Sequence, residues 1–197
     1  MNSLRSPARK NALTLIELIV VITVIGILAT IAIPATKSIL DRAHRTSARN
    51  DAHHLKSAIA SYYAEYRHFP TRQTGPESAA APIQSDHTLM DILLASDRET
   101  GPDGLNQRRH VTFSGGRARP MGNGKFRSGV RLDENGGGTL WDPWGNHYRV
   151  IVDLNADSRV PAPEFVEDVP FLPQDIIVWS PGKDGDDATA MDNVTTW

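Results

Sequence analysis

The chain has 197 residues, a net charge of −2 and no cysteine. This length suffices for one modest domain beside a membrane segment, and the missing cysteines exclude disulfides and thiolate metal sites. Residues 1–131 contain 18 Lys and Arg against 10 Asp and Glu, whereas residues 132–197 contain 3 against 13. The acidic C-terminal third predicts a solvated surface, a cation site or attraction to the basic part of another subunit. The cations are dispersed without interleaved aromatic residues, which argues against nucleic-acid binding.

The first predicted element is an apolar helix that follows a short basic segment. Residues 1–12 carry three cations and no acid, and residues 13–33 form an apolar run whose one charged residue is Glu17. At about 1.5 Å per residue, a helix over this run is long enough to cross a hydrocarbon core of roughly 30 Å. A carboxylate inside a membrane is costly, so Glu17 is predicted to have a function.

A second, amphipathic helix is predicted to follow over residues 35–69. Pro34 predicts a kink or local unwinding before it, because proline lacks the N–H and crowds the preceding turn. Apolar residues then recur at spacings of three and four, which predicts one buried stripe. The stripe comprises Ile39, Ala43, Ala48, Ala52, Leu55, Ala58, Ile59, Tyr62, Tyr63 and Tyr66. The regular helix is predicted to end before the segment His68-Phe69-Pro70-Thr71, because the residue that precedes a proline is disfavoured in the α conformation.

The remaining chain, residues 70–197, is predicted to hold few regular elements. These are a helix over residues 88–95 and strands over residues 110–113, 147–154 and 174–179. Asp86 or Thr88 is the predicted cap of the short helix. The last two strands are predicted to form an antiparallel pair that packs on the amphipathic helix. Apart from one strand, residues 101–138 are predicted to be irregular because they are rich in glycine and arginine.

Three separated motifs stand out in the chain: ALTLIEL from Ala12, DPWGNHYRV from Asp142 and SPGKDG from Ser180. The first resembles the N-terminal processing signal of type IV pilins and of the pseudopilins of type II secretion. The second resembles the pseudopilin motif DPWGNPY, and the third resembles the pseudopilin pattern S-x-G-x-D-G. The resemblance implies an α+β, pilin-like fold, in which a long N-terminal helix packs on a small antiparallel sheet with a loop-rich C-terminus. Its implied parts are a leader (1–12), a transmembrane and assembly helix (13–34), a stem helix (35–69) and a globular head (70–197).

The resemblance also implies how the N-terminus is processed. In the family, a peptidase cuts after a small residue and methylates the new N-terminus. Carried over to this chain, the cut falls between Ala12 and Leu13, and Leu13 is N-methylated. Glu17 then occupies the fifth mature position, where it contacts a neighbouring subunit, and Pro34 occupies the twenty-second, where proline is frequent. Alanine and leucine here replace the usual glycine and the usual phenylalanine or methionine at the cut.

The function implied is structural, and no arrangement of side chains predicts an enzyme. The chain is expected to assemble with itself into a type II secretion pseudopilus that helps drive protein export. Its expected partners are a prepilin peptidase, other pseudopilins, the inner-membrane assembly platform and the membrane itself. Its expected location is the inner membrane, with a single span and a periplasmic head. The alternatives are a type IV pilus or minor pilin subunit, and a membrane-anchored periplasmic enzyme or binding domain.

Two acidic clusters are candidate cation sites. The first comprises Asp184, Asp186, Asp187 and Asp192, and the resemblance implies Ca²⁺ binding there, with a plain hydrated loop as the alternative. The second, from Asp153 to Glu164, has the spacing of a calcium-binding loop but lacks its glycine, so a polar hairpin tip is favoured. Three histidines on the stem, namely His44, His53 and His54, are interpreted as surface residues rather than as a metal site.

Overall fold

The computed structural model describes residues 14–74 and 81–197, with the exception of the side chains of residues 31–37. The chain divides into two compact units, Met1–Arg42 and Ala43–Trp197. The helices are α1 (Leu15–Tyr66) and α2 (His87–Leu93). The strands are β1 (Ile83–Gln84), β2 (Arg119–Gly122), β3 (Lys125–Arg127), β4 (Gly129–Leu132), β5 (Gly138–Trp141), β6 (Arg149–Val152), β7 (Val160–Pro161), β8 (Phe171–Leu172), β9 (Ile176–Ser180) and β10 (Val194–Thr195).

In the first unit, α1 is a helix of exposed apolar side chains. Every large apolar residue from Leu15 to Leu28 exposes between 48% and 76% of its surface. The hydroxyls of Thr23 and Thr30 donate to the carbonyls of Ile19 and Ile27, each at 2.7 Å, so these polar groups are satisfied within the helix. Among the described residues, no helix is both long and apolar enough to cross a membrane.

In the second unit, the amphipathic stripe on α1 forms one wall of the core. The buried members of the stripe are Ala48, Ala52, Leu55, Ala58, Ile59 and Tyr62. The prediction is therefore confirmed for the middle of the stripe, whereas Ala43 and Tyr63 are exposed. The helix ends at Tyr66, as predicted, because Arg67 adopts a positive φ of 62° that cannot continue an α-helix.

A four-stranded antiparallel sheet packs against this stripe. Its strand order is β1-β6-β9-β10. The predicted central pair is confirmed: β6 and β9 are antiparallel, with Val150 opposite Val178 and Val152 opposite Ile176. These four side chains point towards the helix and share a buried core with Leu55 and Tyr62. This agrees with the predicted α+β class.

The opposite face of the sheet is covered by the hairpin of β7 and β8. Ile177 and Trp179 of β9 pack there against Val160 and Leu172 of the hairpin, and Phe165 adds a ring 5.8 Å from Trp179. The sequence predicts residues 155–173 only as a connection between strands. In the structure this connection has its own small apolar cluster and buries the second face of the sheet.

The strand predicted over His110–Phe113 is wrong. The amides of Thr112 and Phe113 donate to the carbonyl of Leu93, at 3.0 and 3.3 Å, so this segment completes the C-terminal end of α2 instead of joining a sheet. The predicted short helix is confirmed as α2, in which Asp86 is the cap and accepts a hydrogen bond from the amide of Thr88 at 2.8 Å.

Two hairpins occupy a region that the sequence predicts to be irregular. β2 pairs with β3, and β4 pairs with β5, both antiparallel. Asn123 and Gly124 connect β2 to β3 with φ angles of 51° and 74°. Positive φ at both central residues is the requirement of a tight hairpin turn, and Asn-Gly is the dipeptide that meets it best. This dipeptide is the signal by which the hairpin is recognisable in the sequence.

Candidate functional site

Glu17 caps the helix on which it lies. Its Oε2 accepts hydrogen bonds from the amide of Thr14 at 2.8 Å and from the Thr14 hydroxyl at 2.7 Å. The Thr14 Oγ1 in turn accepts a hydrogen bond from the amide of Glu17 at 3.4 Å. This reciprocal pair is a capping box, which satisfies backbone N–H groups that have no partner at a helix N-terminus. From the sequence, Glu17 was assigned an intermolecular contact only and Thr14 was missed, although T-x-x-E is the signature of this motif.

The structure does not describe the two residues of the predicted processing site, and it describes only the backbone of Pro34. Ala12 and Leu13, the predicted cleavage and methylation site, lie outside the described residues. The helix is assigned without interruption across Pro34, whose side chain is among those not described. Local unwinding at Pro34 is therefore not observed, and the kink stays a prediction.

The two C-terminal motifs, which are separate in the sequence, meet in space. Asp142, at the start of DPWGN, is fully buried, and its Oδ1 accepts hydrogen bonds from the amides of Trp144, Gly145 and Asn146 at 2.7 to 2.9 Å. Its Oδ2 accepts a hydrogen bond from the Ser180 hydroxyl at 2.6 Å. One carboxylate thus organises the turn and attaches it to the end of β9.

The same turn holds the C-terminal loop. The side-chain amide of Asn146 donates to the carbonyl of Gly182 at 2.8 Å. Gly185 lies so close to Asn146 that a Cβ on this glycine would be 3.0 Å from the Asn146 Oδ1. Gly182 and Gly185 both have φ angles of 74°, which a side chain would strain. The glycines of SPGKDG therefore permit the loop to close on the DPWGN turn.

Asp187 and Asp192 accept hydrogen bonds from arginine side chains and from N–H groups of the protein. Asp192 accepts a hydrogen bond from Arg45 on α1 at 2.9 Å, from the amide of Lys183, and from the amide of Asp184 at 3.0 Å. Asp187 accepts from the Nε of Arg149 at 3.0 Å and from the indole N–H of Trp179 at 2.9 Å. Both of these acids are thus neutralised or hydrogen-bonded without a metal ion.

Asp184 and Asp186 form successive turns at the exposed tip of the loop. Asp184 accepts a hydrogen bond from the amide of Asp186 at 3.0 Å, and Asp186 accepts one from the amide of Ala188 at 2.9 Å. The hydrogen bond from the Asp186 amide, together with one from the Thr189 side chain, lowers the pKa of the Asp184 carboxyl. Within the described chain, no three acidic or histidine side chains converge as ligands for one ion. Calcium binding by the four predicted acids stays a prediction, and it would require further oxygen ligands from backbone carbonyls or water.

The second acidic cluster is a polar loop between two strands, as favoured from the sequence. Asp153 is buried and accepts hydrogen bonds from the amides of Asp157 and Ser158, at 3.3 and 2.6 Å. The flanking elements are β6 and β7 rather than helices. The Asp153 carboxylate thus holds a tight turn together.

Two of the stem histidines contact aromatic residues of the head. The His54 ring is 4.8 Å from that of Phe113, and the His44 ring meets the edge of Trp144 at 6.1 Å. These contacts assign the two histidines to packing between the helix and the head.

Near them, Asp51 of the same helix faces the hydroxyl of buried Tyr148 across 3.5 Å. Burial raises the pKa of the Asp51 carboxyl, and the nearby Asp142 adds to the increase. The acid therefore lies in a partly desolvated position, and the long hydrogen bond from Tyr148 and the nearby His54 offset only part of the increase.

Comparison with known proteins identifies the N-terminal segment. Residues 7–33 match the family described as "Prokaryotic N-terminal methylation motif". This match contains the predicted cut between Ala12 and Leu13, together with Glu17, and coincides with the first apolar segment of the chain. The motif was therefore interpreted correctly from the sequence.

Relatives of two kinds match the chain. It is 32% identical over 75 residues to "Type II secretion system core protein G" of Escherichia coli (strain K12), covering 38% of this chain and 52% of that protein. It is 37% identical over 73 residues to "Type IV major pilin protein PilE1" of Neisseria gonorrhoeae, and this alignment covers 37% of this chain and 44% of that protein. A further protein with the same name and organism is 30% identical over 135 residues, and this alignment covers 66% of this chain and 63% of that protein.

The chain thus spans about half the length of the first two relatives. No solved structure matches it. The chain therefore carries an N-terminal methylation motif and is similar both to a type II secretion core protein and to type IV pilins.

Proposed function

We propose that this chain is a subunit of a type II secretion pseudopilus. In this proposal a prepilin peptidase removes residues 1–12 and methylates Leu13, and residues 13–34 hold the subunit in the inner membrane with its head in the periplasm. The inner-membrane assembly platform then moves the subunit into a filament with other pseudopilins. The filament helps to drive protein export.

The observation that carries this proposal is the apolar surface of α1. Eleven large apolar side chains between Leu15 and Leu28 are exposed in the isolated chain. Complete burial of such a side chain contributes about 1.5–3 kcal/mol. Together they exceed the cost of association, which is roughly 4–15 kcal/mol. A surface of this size requires lipid before assembly and other copies of the helix after it.

Glu17 has two roles in the proposal. Within one subunit it completes the capping box with Thr14. In the filament, its carboxylate lies beside the positively charged N-terminus of a neighbouring Leu13. Pairing there replaces a charge in lipid by an ion pair, which offsets the cost of burying it.

Three variants separate these roles. Glu17→Gln retains a side chain that can complete a capping box but removes the charge. Thr14→Val removes the cap but retains the charge. Glu17→Ala removes both. If the ion pair drives assembly, filaments are lost in both Glu17 variants and retained in Thr14→Val, while all three proteins are made and cleaved. Filament formation by Glu17→Gln, measured by electron microscopy of sheared fractions, would refute the pairing.

A type IV pilus or minor pilin is the second candidate function. It is favoured by the longer alignment with a type IV major pilin, which covers 66% of this chain. The pseudopilus is favoured by the DPWGN and SPGKDG motifs and by the acidic C-terminal loop that they join. Expression in strains that lack either the secretion pseudopilin or the major pilin separates the two, because restored protein secretion indicates a pseudopilin and restored surface pili indicate a pilin.

A further inference from the structure

The β2–β3 hairpin presents a set of exposed cations. From Gly104 to Leu132 the chain has seven Lys and Arg residues and no acid. Four of them lie on or beside the hairpin, are exposed, and form no ion pair with a carboxylate of the described chain: Arg117, Arg119, Lys125 and Arg127. Like charges at this density repel one another, so an anionic partner would stabilise the hairpin.

The hairpin is held firmly on the head. The Phe126 ring lies 6.1 Å from that of Trp141, and the guanidinium of Arg131 lies over Phe126 at 5.0 Å. The amide of Ser128 donates to the carbonyl of Asp142 at 2.9 Å, which attaches the end of β3 to the DPWGN turn. The cations are therefore carried by an ordered backbone, so little backbone conformational entropy is lost when a partner binds them.

A complementary surface lies on the hairpin of β7 and β8. Residues 153–175 contain six acids and one arginine. Glu164, Glu167 and Asp168, in the loop between the two strands, are exposed and form no ion pair with any described residue. Phe165, in the same loop, packs against Trp179 and so attaches the loop to the sheet. We call these three acidic residues the acidic loop.

We propose that the β2–β3 hairpin of one subunit docks on the acidic loop of the next subunit. The two surfaces are different parts of one head, so their contact is heterologous and repeats from copy to copy. A heterologous contact that does not close into a ring generates a helical filament. This inference rests on the proposed function. In the filament, the contact between heads acts together with the packing of the helices and fixes the orientation of each subunit relative to its neighbour.

Disulfide cross-linking tests this contact directly, because the chain has no native cysteine. Full-length protein carrying both Arg127→Cys and Glu167→Cys is expected to form disulfide-linked dimers and higher multimers in membranes under mild oxidation. Each single-cysteine variant is a control, because it can form only a dimer in which the same residue of two subunits is linked. The cross-link is scored whether or not filaments form, which separates this inference from the proposed function. Double-cysteine protein that cross-links no more than the single variants would overturn the inference.

Charge exchange provides the second test. Arg119→Glu with Arg127→Glu is expected to abolish filaments, as is Glu164→Lys with Glu167→Lys, whereas the protein carrying all four changes regains them. Arg119→Lys with Arg127→Lys, which keeps the charge, is expected to assemble normally. Substitutions at exposed positions such as these are expected to change the free energy of unfolding very little, and equal melting temperatures of the variants and the wild type would verify this. Raised salt is expected to weaken assembly of the wild type through screening.

Two results would contradict the contact. Filaments of both charge-reversed variants that match those of the wild type would show that the hairpin does not join subunits. Normal filaments combined with a loss of binding to duplex DNA in the Arg119→Glu, Arg127→Glu variant would assign the hairpin to a nucleic acid. Absence of filaments from the wild type, with the specific cross-link still present, would overturn the proposed function and leave this contact intact.

Discussion

Asp142 is the residue on which the two C-terminal motifs depend. It is fully buried and accepts hydrogen bonds from three backbone amides and one hydroxyl. Because removal of the carboxylate leaves these donors without partners, Asp142→Ala is expected to lower the free energy of unfolding by about 3 kcal/mol. Asp142→Asn keeps an acceptor for the amides and is expected to cost much less. Urea denaturation measures both, and equal losses in the two variants would contradict this role.

Asp51 is expected to give the head a measurable pH dependence. Its pKa in the folded protein is raised above the ordinary value of 3.8, mainly by burial. The folded state therefore binds the proton more tightly than the unfolded state. The resulting stability is fully present below pH 3.8 and is lost as the pH rises through the raised pKa.

Asp51→Asn removes this titration. The stability of the wild type relative to Asp51→Asn should therefore decrease as the pH rises above about 4 and become constant above the raised pKa. Melting temperatures of both proteins across this range provide the comparison. A difference that is independent of pH would contradict the raised pKa.

At the level of elements, the β2–β3 hairpin depends on a glycine in another segment. Gly145 has a φ angle of 95°, and a Cβ there would be 2.9 Å from the sulfur of Met121 and 3.3 Å from the carbonyl oxygen of Phe126. Gly145→Ala is expected to destabilise the head by about 1–2 kcal/mol from the backbone conformation alone, with the contact adding to it. Gly116→Ala is the matched control, since a Cβ at Gly116 would meet no atom within 4 Å and its φ is not positive. Chemical denaturation should separate the two variants; similar stability would argue against close packing of the hairpin on the turn.

The C-terminal loop is expected to be stable without calcium. Arg45 and Arg149 already bind Asp192 and Asp187. A chelator should therefore leave the melting temperature unchanged, whereas Arg149→Met should lower it. Saturation of a calcium site a hundredfold above its dissociation constant would add about 2.7 kcal/mol, so a rise in melting temperature with added Ca²⁺ would contradict this expectation.

Elements with a clear periodicity were predictable from the sequence. The stripe on α1 and the pair of β6 and β9 have this property, because each buries one continuous face. The strand predicted over residues 110–113 failed because four residues carry too little periodicity to outweigh the hydrogen bonds that α2 offers at its C-terminus. The β2–β3 hairpin was missed because the composition of the region outweighed its Asn-Gly turn.

The sites were predictable to different degrees. The motif around Glu17 depends on local sequence and was identified, although its capping partner Thr14 was not. The acidic C-terminal loop depends on long-range partners: Arg45 is 147 residues from Asp192, and Arg149 is 38 residues from Asp187. No local pattern indicates such pairs, so the ion pairs of this loop could not be predicted from the sequence.

At the scale of the whole molecule, the proposed function assigns the exposed apolar helix of the first unit and the head of the second unit to one assembling subunit. The proposed filament depends on the N-terminal methylation motif over residues 7–33. Every later step of the proposal depends on removal of the leader and methylation of Leu13. These steps include the Glu17 ion pair and the contact between heads.

Mass spectrometry of the mature N-terminus tests this central claim most directly. Full-length protein produced together with a prepilin peptidase should lack residues 1–12 and begin with N-methylated Leu13. Protein produced without the peptidase should keep the leader and lack the methyl group. A mature chain that begins at any other residue, or an uncut chain in the presence of an active peptidase, would contradict the proposed processing and the filament that depends on it.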